Sequence, residues 1–171
     1  MSAESAGDLL DRAAAIAYAR RCRAAGKRLV VTNGCFDLLH AGHVGYLTAA
    51  RALGDALLVG LNSDASTRAL KGPDRPLTPE RDRAMVLLAL RAVDAVVIFD
   101  ELTANRLLAD LRPEIYVKGG DYVPAGAEAG KPLPEEPTVR AYGGEIHLLP
   151  YLAGRSSTDL IKRIRGARTG G

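Results

Sequence analysis

The fold is decided by the stretch RLVVTNGCFDLLHAGHVGYLTAARAL, which occupies residues 28–53. It starts as a β-branched run, breaks at Gly34, and returns to helical spacing from residue 44. Further apolar runs alternate with helical stretches along the rest of the chain. The apolar runs lie at 56–62, 95–99, 114–119 and 145–150, and the helical stretches at 79–93, 103–111 and 156–164. Strands that are apolar throughout and alternate with helices indicate an α/β fold with a parallel sheet covered on both faces.

We therefore predict a Rossmann-like sheet of five parallel strands in the order 3-2-1-4-5, with helices on both faces. The length of 171 residues fits one domain, residues 1–171, with an N-terminal helix over about 8–25 and a catalytic core over about 27–165. Residues 122–144 are rich in Gly, Pro and Glu, and we predict a mobile loop there, above the ligand-binding edge of the sheet.

The composition excludes several classes of protein. Apolar residues make up 47% and charged residues 25%, which argues against disorder. The net charge of +3 is small and the basic C-terminal residues lack interleaved aromatics, so we expect no nucleic-acid partner. No apolar run has the length of a membrane span and the first residues do not resemble a signal peptide, so we expect no membrane partner. Two cysteines, Cys22 and Cys35, suit a reducing compartment, and we expect a cytoplasmic protein.

The chemistry is expected in the segment from Gly34 to His43, which joins the first strand to the next helix. Glycine after a strand lets the backbone approach a ligand, and free N–H groups at a helix start attract phosphate. His40 and His43, spaced His-x-Gly-His, can both face one anion and donate hydrogen bonds to phosphate oxygens in a transition state. Gly42 between them keeps the adjacent space free of a side chain.

Other interpretations of the same residues remain open. Two histidines at this spacing could ligate a metal, but a third ligand is needed and the remaining histidine, His147, lies on an apolar strand. Asp37 could cap a helix, and Cys35 could be a small buried apolar residue. The glycine-rich signatures of dinucleotide-binding dehydrogenases and of P-loop NTPases are absent.

The stretch TNGCFDLLHAGH resembles the signature of the nucleotidyltransferase superfamily, which includes the cytidylyltransferases and the class I aminoacyl-tRNA synthetases. Five further motifs follow in order: LNSDASTRALKG (61–72), RPLTPERDRA (75–84), VDAVVIFDELT (93–103), PEIYVKGGDY (113–122) and GRSSTDLIKRI (154–164). Together the six resemble the D-glycero-β-D-manno-heptose 1-phosphate adenylyltransferases. That family occurs as a stand-alone enzyme or as the C-terminal half of a bifunctional heptose kinase/adenylyltransferase. The resemblance covers about residues 25–165, and the kinase half has no counterpart here.

The resemblance implies a set of nucleotide-binding residues. The turn after the first strand would hold the nucleotide phosphates, and His40 and His43 would contact the triphosphate at the reacting phosphorus. A Ser-Thr-Thr motif at a helix start, which binds β- and γ-phosphates in the family, reads Ser-Ser-Thr here, and its alternative is a plain helix cap. Arg155 departs from the apolar or aromatic residue that usually precedes this motif. The implied nucleotide-binding residues are Thr32, Asn33, Gly34, Cys35, Phe36, Asp37, Gly42, Lys71, Ser156, Ser157 and Thr158.

A second set of residues is predicted to bind the acceptor substrate. Lys118 leaves an apolar strand at the ligand edge, which is costly unless it meets an anion, so we predict a catalytic contact with phosphate. After it, Asp121 could accept sugar hydroxyls and Tyr122 could stack on a ring, although Gly-Gly-Asp also suits a plain surface turn. The predicted substrate-binding residues are Asn62, Asp64, Arg75, Arg83, Gly119, Asp121 and Tyr122.

The sequence thus predicts transfer of AMP from ATP to a sugar 1-phosphate, with the preference for adenine and for heptose resting on the resemblance alone. Mg²⁺ would arrive with ATP and be held by the triphosphate, with no ligand from the protein. The alternatives are the same chemistry with CTP and glycerol 3-phosphate or with ATP and flavin mononucleotide, and a non-catalytic nucleotide-binding module. The oligomeric state is undecided, with a homodimer open.

Overall fold

The computed structural model describes residues 7–120, 122–123 and 131–150, together with the helical positions 160, 161 and 164. Eight strands and six helices have defined bounds within this part of the chain. The strands are β1 (Asp8–Leu10), β2 (Leu29–Gly34), β3 (Ala56–Asn62), β4 (Ala95–Phe99), β5 (Ile115–Gly119), β6 (Tyr122–Val123), β7 (Lys131–Pro132) and β8 (Glu145–Leu149). The helices are α1 (Arg12–Ala24), α2 (Ala41–Arg51), α3 (Asp64–Lys71), α4 (Glu80–Leu88), α5 (Asn105–Leu111) and α6 (Glu136–Ala141).

Six of the strands form one parallel sheet in the order β1-β4-β3-β2-β5-β8. The five strands that the sequence predicts are β2, β3, β4, β5 and β8. Their order in the sheet is the predicted 3-2-1-4-5, so that prediction is confirmed. The short strands β6 and β7 pair only with each other.

The sixth strand corrects the prediction at the N-terminus. Asp8–Leu10 was predicted as the start of a helix, yet it pairs in parallel with Ala95–Val97 and extends the sheet by one edge strand. The helix begins later because the Asp11 side chain caps it, accepting a hydrogen bond from the Ala14 amide at 2.8 Å. An added edge strand also satisfies backbone groups of β4 that would otherwise be unpaired.

The predicted loop over 122–144 is also wrong for its second half. Residues 131–132 form β7 and residues 136–141 form α6, while 124–130 lie outside the described residues. Leu133 and Val139 supply the reason, because both are buried and pack against the core. Two apolar anchors suffice to order this segment despite its Pro- and Gly-rich composition.

The core has two halves, one on each face of the sheet. Helices α1, α5 and α6 cover one face, and α2 and α4 cover the other, as predicted. Alternate strand residues point to opposite faces, so β3 contributes Leu58 to the first half and Leu57 and Val59 to the second. No helix in the described ranges is long and apolar enough to cross a bilayer.

Candidate active site

The end of β2 is joined to its neighbours by two buried side chains. The Thr32 hydroxyl lies 2.6 Å from the Tyr46 hydroxyl, which donates to the Val117 carbonyl at 3.2 Å. Thr32 is fully buried, and its side chain connects β2 to α2 and β5. The Thr32 side chain therefore has a structural contact. The predicted contact of Thr32 with the nucleotide would have to be made by its backbone.

Asn33 follows and links the same edge of the sheet to Lys118. Its Oδ1 accepts hydrogen bonds from the Tyr116 hydroxyl at 2.7 Å and from Lys118 Nζ at 2.8 Å. Burial lowers the pKa of Lys118 from its ordinary value, while the carboxylate of Glu135 acts in the opposite direction. Among the described residues, no carboxylate lies within ion-pair distance of this lysine. Lys118 is thus a half-buried cation whose polar contact is a neutral amide, as expected for a group that meets an anionic ligand.

The turn after β2 takes an uncommon backbone conformation at Phe36. Its φ is +45°, the left-handed region that non-glycine residues seldom occupy. The Phe36 ring covers Gly34, where a Cβ would come within 3.0 Å of Phe36 Cε2. The same ring packs edge-on against His43, with centroids 5.4 Å apart. Gly34 and the strained Phe36 together bring the turn close to the two histidines.

His40 and His43 lie side by side at the N-terminus of α2. Their ring centroids are 4.0 Å apart with a 32° angle between the planes. His40 is the N-cap residue, and its Nδ1 accepts a hydrogen bond from the Gly42 amide at 3.1 Å. That bond places the proton of a neutral His40 ring on Nε2.

His43 is held in its neutral form. Burial, and secondarily the neighbouring His40, lower the pKa of His43 to about 4. Its Nδ1 is buried and has no hydrogen-bond partner in the described structure. A buried unpartnered nitrogen beside the positive end of a helix is a group with spare hydrogen-bonding capacity where an anion is favoured.

Asp37, by contrast, is fully engaged inside the protein. Its carboxylate accepts hydrogen bonds from Arg75 Nε and from the backbone amides of Leu77 (2.7 Å) and Thr78 (3.0 Å). These contacts fix the 75–78 segment against the motif turn, residues 32–43. They differ from both sequence interpretations, since Asp37 neither caps a helix nor leaves its carboxylate free of protein contacts. They also engage Nε of Arg75.

Arg83 is the most saturated polar side chain near the site. It is 1% exposed and donates to the carbonyls of Thr78 (2.8 Å), Cys35 and Asn62 (2.9 Å) and to Asp64 Oδ1 (2.7 Å). Asn62 donates in turn to Ser66 Oγ at 2.7 Å. The predicted substrate-binding residues Asn62, Asp64 and Arg83 therefore come together, but they bind one another and the backbone.

The remaining predicted residues fall into three groups. Gly42 and Gly119 are buried in α2 and β5, and Cys35 lies in the motif turn with its carbonyl bound by Arg83. Lys71 is exposed at the last turn of α3, and no contact joins it to the histidines. The predictions for Asp121, Ser156, Ser157 and Thr158 lie outside the described residues.

Sequence reasoning missed three residues that surround Lys118. Tyr116 shares its acceptor, Glu135 lies buried nearby, and Lys131 Nζ lies 5.3 Å from the centre of the Tyr122 ring. Lys118 Nζ lies 5.5 Å from the same ring. Burial raises the pKa of Tyr116 well above its ordinary value, so its hydroxyl keeps its proton. Tyr116 and Lys118 lie two residues apart on β5 and therefore on the same face of the sheet, which the sequence could have indicated. No sequence signal points to Glu135 or Lys131.

The chain is similar to a bifunctional protein found in several bacteria. Bifunctional protein HldE from Geotalea uraniireducens is 54% identical over 156 residues, covering 91% of this chain and 30% of the relative. Its counterpart in Streptomyces coelicolor is 56% identical over 153 residues, covering 89% of this chain and 32% of the relative. The chain thus spans about a third of the length of these curated relatives.

A solved structure agrees with the fold. The lipopolysaccharide core biosynthesis protein from Thermoplasma volcanium matches with a TM-score of 0.58 and 25% identity, covering 74% of this chain and 98% of that one. The profile of the cytidylyltransferase-like family matches residues 31–163, which include most of β2, the two histidines and β5 with Lys118. The resemblance carried by the six ordered motifs is confirmed, and the chain belongs to the cytidylyltransferase-like family.

Proposed function

We propose that this chain transfers AMP from ATP to the phosphate of a sugar 1-phosphate, D-glycero-β-D-manno-heptose 1-phosphate or a close relative. The products are the ADP-sugar and pyrophosphate. The observation that carries the proposal is the pair of histidine rings, 4.0 Å apart at the start of α2, beside a half-buried lysine. The family membership and the similarity to HldE support the choice of reaction.

The reaction balances without a covalent enzyme intermediate. An oxygen of the sugar phosphate forms a bond to the α-phosphorus of ATP, and the bond from that phosphorus to the bridging oxygen of the β-phosphate breaks. The acceptor phosphate is already ionised at neutral pH, so no general base is required. Catalysis then consists of alignment and stabilisation of the charge on the transferring and leaving phosphates.

The histidine rings are proposed as hydrogen-bond donors to the phosphates. His40 accepts a hydrogen bond from the Gly42 amide at Nδ1, so Nε2 is the ring atom proposed to donate to a phosphate oxygen. His43 stays neutral because burial lowers its pKa to about 4. Rings held in place by the helix cap and by Phe36 lose little freedom when the transition state forms, so their hydrogen bonds favour it strongly.

Lys118 is proposed to meet the acceptor phosphate. It lies one strand away from the motif turn and is tethered to it by Asn33 Oδ1, so an anion bound to it lies next to the nucleotide phosphates. Tyr122 is proposed to stack on the sugar. The ammonium groups of Lys118 on β5 and Lys131 on β7 lie 5.5 Å and 5.3 Å from the centre of its ring. Asn62, Asp64, Arg75 and Arg83 take a positioning role in this proposal, because their side chains already bind protein atoms.

The ATP substrate is proposed to arrive as its Mg²⁺ complex. Within the described residues, no group of three His, Cys, Asp or Glu side chains is arranged to hold a metal ion. The carboxylate within the motif turn, that of Asp37, already accepts hydrogen bonds from Arg75, Leu77 and Thr78. The triphosphate oxygens would therefore hold the ion, which would neutralise charge on the leaving pyrophosphate.

Location and assembly complete the proposal. A cytoplasmic location suits Cys22 and Cys35, which are both free thiols. A homodimer is supported by the exposed side chains of Leu70, Leu77 and Met85 on and between α3 and α4. Light scattering at several protein concentrations tests the assembly.

The decisive experiment measures pyrophosphate release across a matrix of nucleoside triphosphates and acceptors. We expect the highest kcat/KM with ATP and the heptose 1-phosphate. Higher activity with CTP and glycerol 3-phosphate, or with ATP and flavin mononucleotide, would replace the substrate assignment. Nucleotide binding without pyrophosphate release for any pair would favour the non-catalytic module.

A further inference from the structure

A buried hydrogen bond joins β5 to β2 beside Lys118, and the proposed mechanism does not use its donor. Tyr116 on β5 is fully buried, and its hydroxyl donates to Asn33 Oδ1 at 2.7 Å. Lys118 Nζ, two residues later on the same strand, donates to the same oxygen at 2.8 Å. An amide carbonyl oxygen has two lone pairs, so these two donors use the full accepting capacity of Asn33 Oδ1.

The two donors determine which way the Asn33 amide faces. An ammonium group can only donate, so the amide atom that faces Lys118 is the oxygen and not the nitrogen. Burial, and secondarily the Glu135 carboxylate, raise the pKa of Tyr116 well above its ordinary value, so its hydroxyl keeps the proton that it donates. Nδ2 is therefore the other end of the amide, and no group within the described ranges accepts a hydrogen bond from it.

The strand register places these three residues on one face of the sheet. Val31 pairs with Tyr116 and Thr32 with Val117, and alternate residues of a strand point to opposite faces. Asn33 and Lys118 therefore share the face of Tyr116, at the carboxyl ends of β2 and β5. The proposed function assigns the nucleotide and acceptor phosphates to this edge.

Binding of a phosphate gives the Tyr116 hydroxyl a purpose. An ammonium group on a flexible stem turns readily toward an anion, and its hydrogen bond to Asn33 then weakens. The Tyr116 hydroxyl is then the group that holds the amide. Without it the amide can rotate by half a turn and present Oδ1 to the phosphate, where two negatively polarised oxygens repel each other. With it Nδ2 stays available as a donor.

We propose that Tyr116 is a positioning residue that holds the Asn33 amide with Oδ1 toward Lys118 and Nδ2 free to donate to the acceptor phosphate, an inference that rests on the proposed function. Tyr116 does not contact substrate. It acts through Asn33, which becomes a second donor to the phosphate that Lys118 meets.

Tyr46 provides a matched control. Its hydroxyl also joins β2 to β5, through the Thr32 hydroxyl at 2.6 Å and the Val117 carbonyl at 3.2 Å, but from the half of the core on the opposite face. Tyr116→Phe and Tyr46→Phe each remove one buried hydroxyl between the same two strands, and only the first removes a donor to Asn33. A general loosening of these strands would affect both variants alike.

The first test is independent of catalysis and uses inorganic phosphate as the probe. ¹⁵N NMR follows the side-chain NH₂ signals of Asn33 while phosphate is added until the ¹³Cε signal of Lys118 stops moving. We expect the Asn33 signals to shift in the wild type and in Tyr46→Phe, and to lose most of that shift in Tyr116→Phe. Equal shifts in Tyr116→Phe and in the wild type overturn the inference.

The second test measures KM for each substrate. In Tyr116→Phe, KM for the sugar 1-phosphate should rise about tenfold with little change in KM for ATP, and Tyr46→Phe should show a smaller rise. An equal rise in both variants overturns the inference, because loosening of the strands then explains it.

Two further outcomes separate the inference from the proposed function. If the Asn33 signals respond as expected but KM does not change, Tyr116 positions the amide and the assignment of the acceptor phosphate to Lys118 fails. Should Tyr116→Phe not fold, the wild type decides, since phosphate that moves the Lys118 signal and leaves the Asn33 NH₂ signals in place contradicts the inference.

Discussion

Two polar regions lie at the same edge of the sheet and differ in how their hydrogen bonds are used. In the histidine pair at the start of α2, the Nδ1 of His43 lies beside the His40 ring and has no partner among the described residues. In the arginine cluster, defined as Asn62, Asp64, Asp37, Arg75 and Arg83, the side chains bind one another or the backbone. Polar side chains at the same edge of the sheet thus differ in how many hydrogen bonds they make within the protein. Spare hydrogen-bonding capacity marks a ligand-binding group, and saturation marks the scaffold that shapes it.

The largest effect is expected from removing Arg83, the centre of the arginine cluster. Arg83→Met leaves three backbone carbonyls and the Asp64 carboxylate without their donor, in a buried setting. We expect the free energy of unfolding to fall by about 3–5 kcal/mol. Urea denaturation followed by circular dichroism measures it, with Arg81→Met, exposed on the same helix, as the control that changes little. An Arg83 variant of native stability with lost activity would place Arg83 among the ligand-binding residues.

His43→Ala should lower activity and leave stability unchanged, the reverse of the result expected for Arg83→Met. It removes the proposed donor to the transition state, while Nδ1 of His43 has no hydrogen bond to lose within the described residues. We expect kcat to fall by about 10²- to 10³-fold with a native unfolding curve. Pyrophosphate release at saturating substrates measures kcat, and His147→Ala is the matched control because His147 pairs with Glu145 on β8. Near-native turnover of His43→Ala would remove this ring from the mechanism.

Lys118→Met tests the proposed binding of the acceptor phosphate. The methionine retains the length of the apolar stem and removes the charge that is proposed to meet the acceptor phosphate. KM for the sugar 1-phosphate should rise at least about tenfold, with KM for ATP less affected and stability retained. Steady-state kinetics with each substrate varied in turn gives both constants. Equal effects on both substrates would move Lys118 from the acceptor to the nucleotide.

A pH dependence of stability is expected only at acidic pH. The pKa of His43 is about 4 in the folded protein against about 6.5 in an unfolded chain, so the unfolded chain takes up the proton first. The contribution of neutral His43 is therefore fully present above pH 6.5 and is lost as the pH falls toward 4. His43→Asn should lose less stability than wild type over that interval in urea titrations. Parallel losses in the two proteins would show that His43 is not held neutral.

Most of the sheet could be predicted because its strands are short apolar runs bounded by Gly, Asn and Pro. The edge strand Asp8–Leu10 could not, since three residues carry too little periodicity, although Asp11 was a visible helix cap. Helix α6 was hidden by the composition around it. Pro137 in its first turn is the signal that could have found it.

The candidate site was predictable where it rests on a local motif. His40 and His43 lie where the chain passes from β2 into α2, and Lys118 lies near the end of β5, so their place at the sheet edge follows from the chain order. Three of the four groups that accept hydrogen bonds from Arg83 lie 19 to 48 positions away in the chain, and the hydrogen bond between Ala104 and Glu135 spans 31 positions. Such long-range hydrogen bonds leave no pattern in the sequence. Only the structure shows whether an arginine is hydrogen-bonded within the protein or available to bind an anion.

Side-chain ¹⁵N NMR during titration with a non-hydrolysable ATP analogue tests the contrast between the two regions most directly. The chain has three histidines and one of them, His147, is an internal reference on β8. We expect the ring nitrogens of His40 and His43 to shift as the analogue saturates, while the Arg83 Nε–H and His147 signals stay in place. Shifts at Arg83 with unchanged His40 and His43 signals would contradict the account.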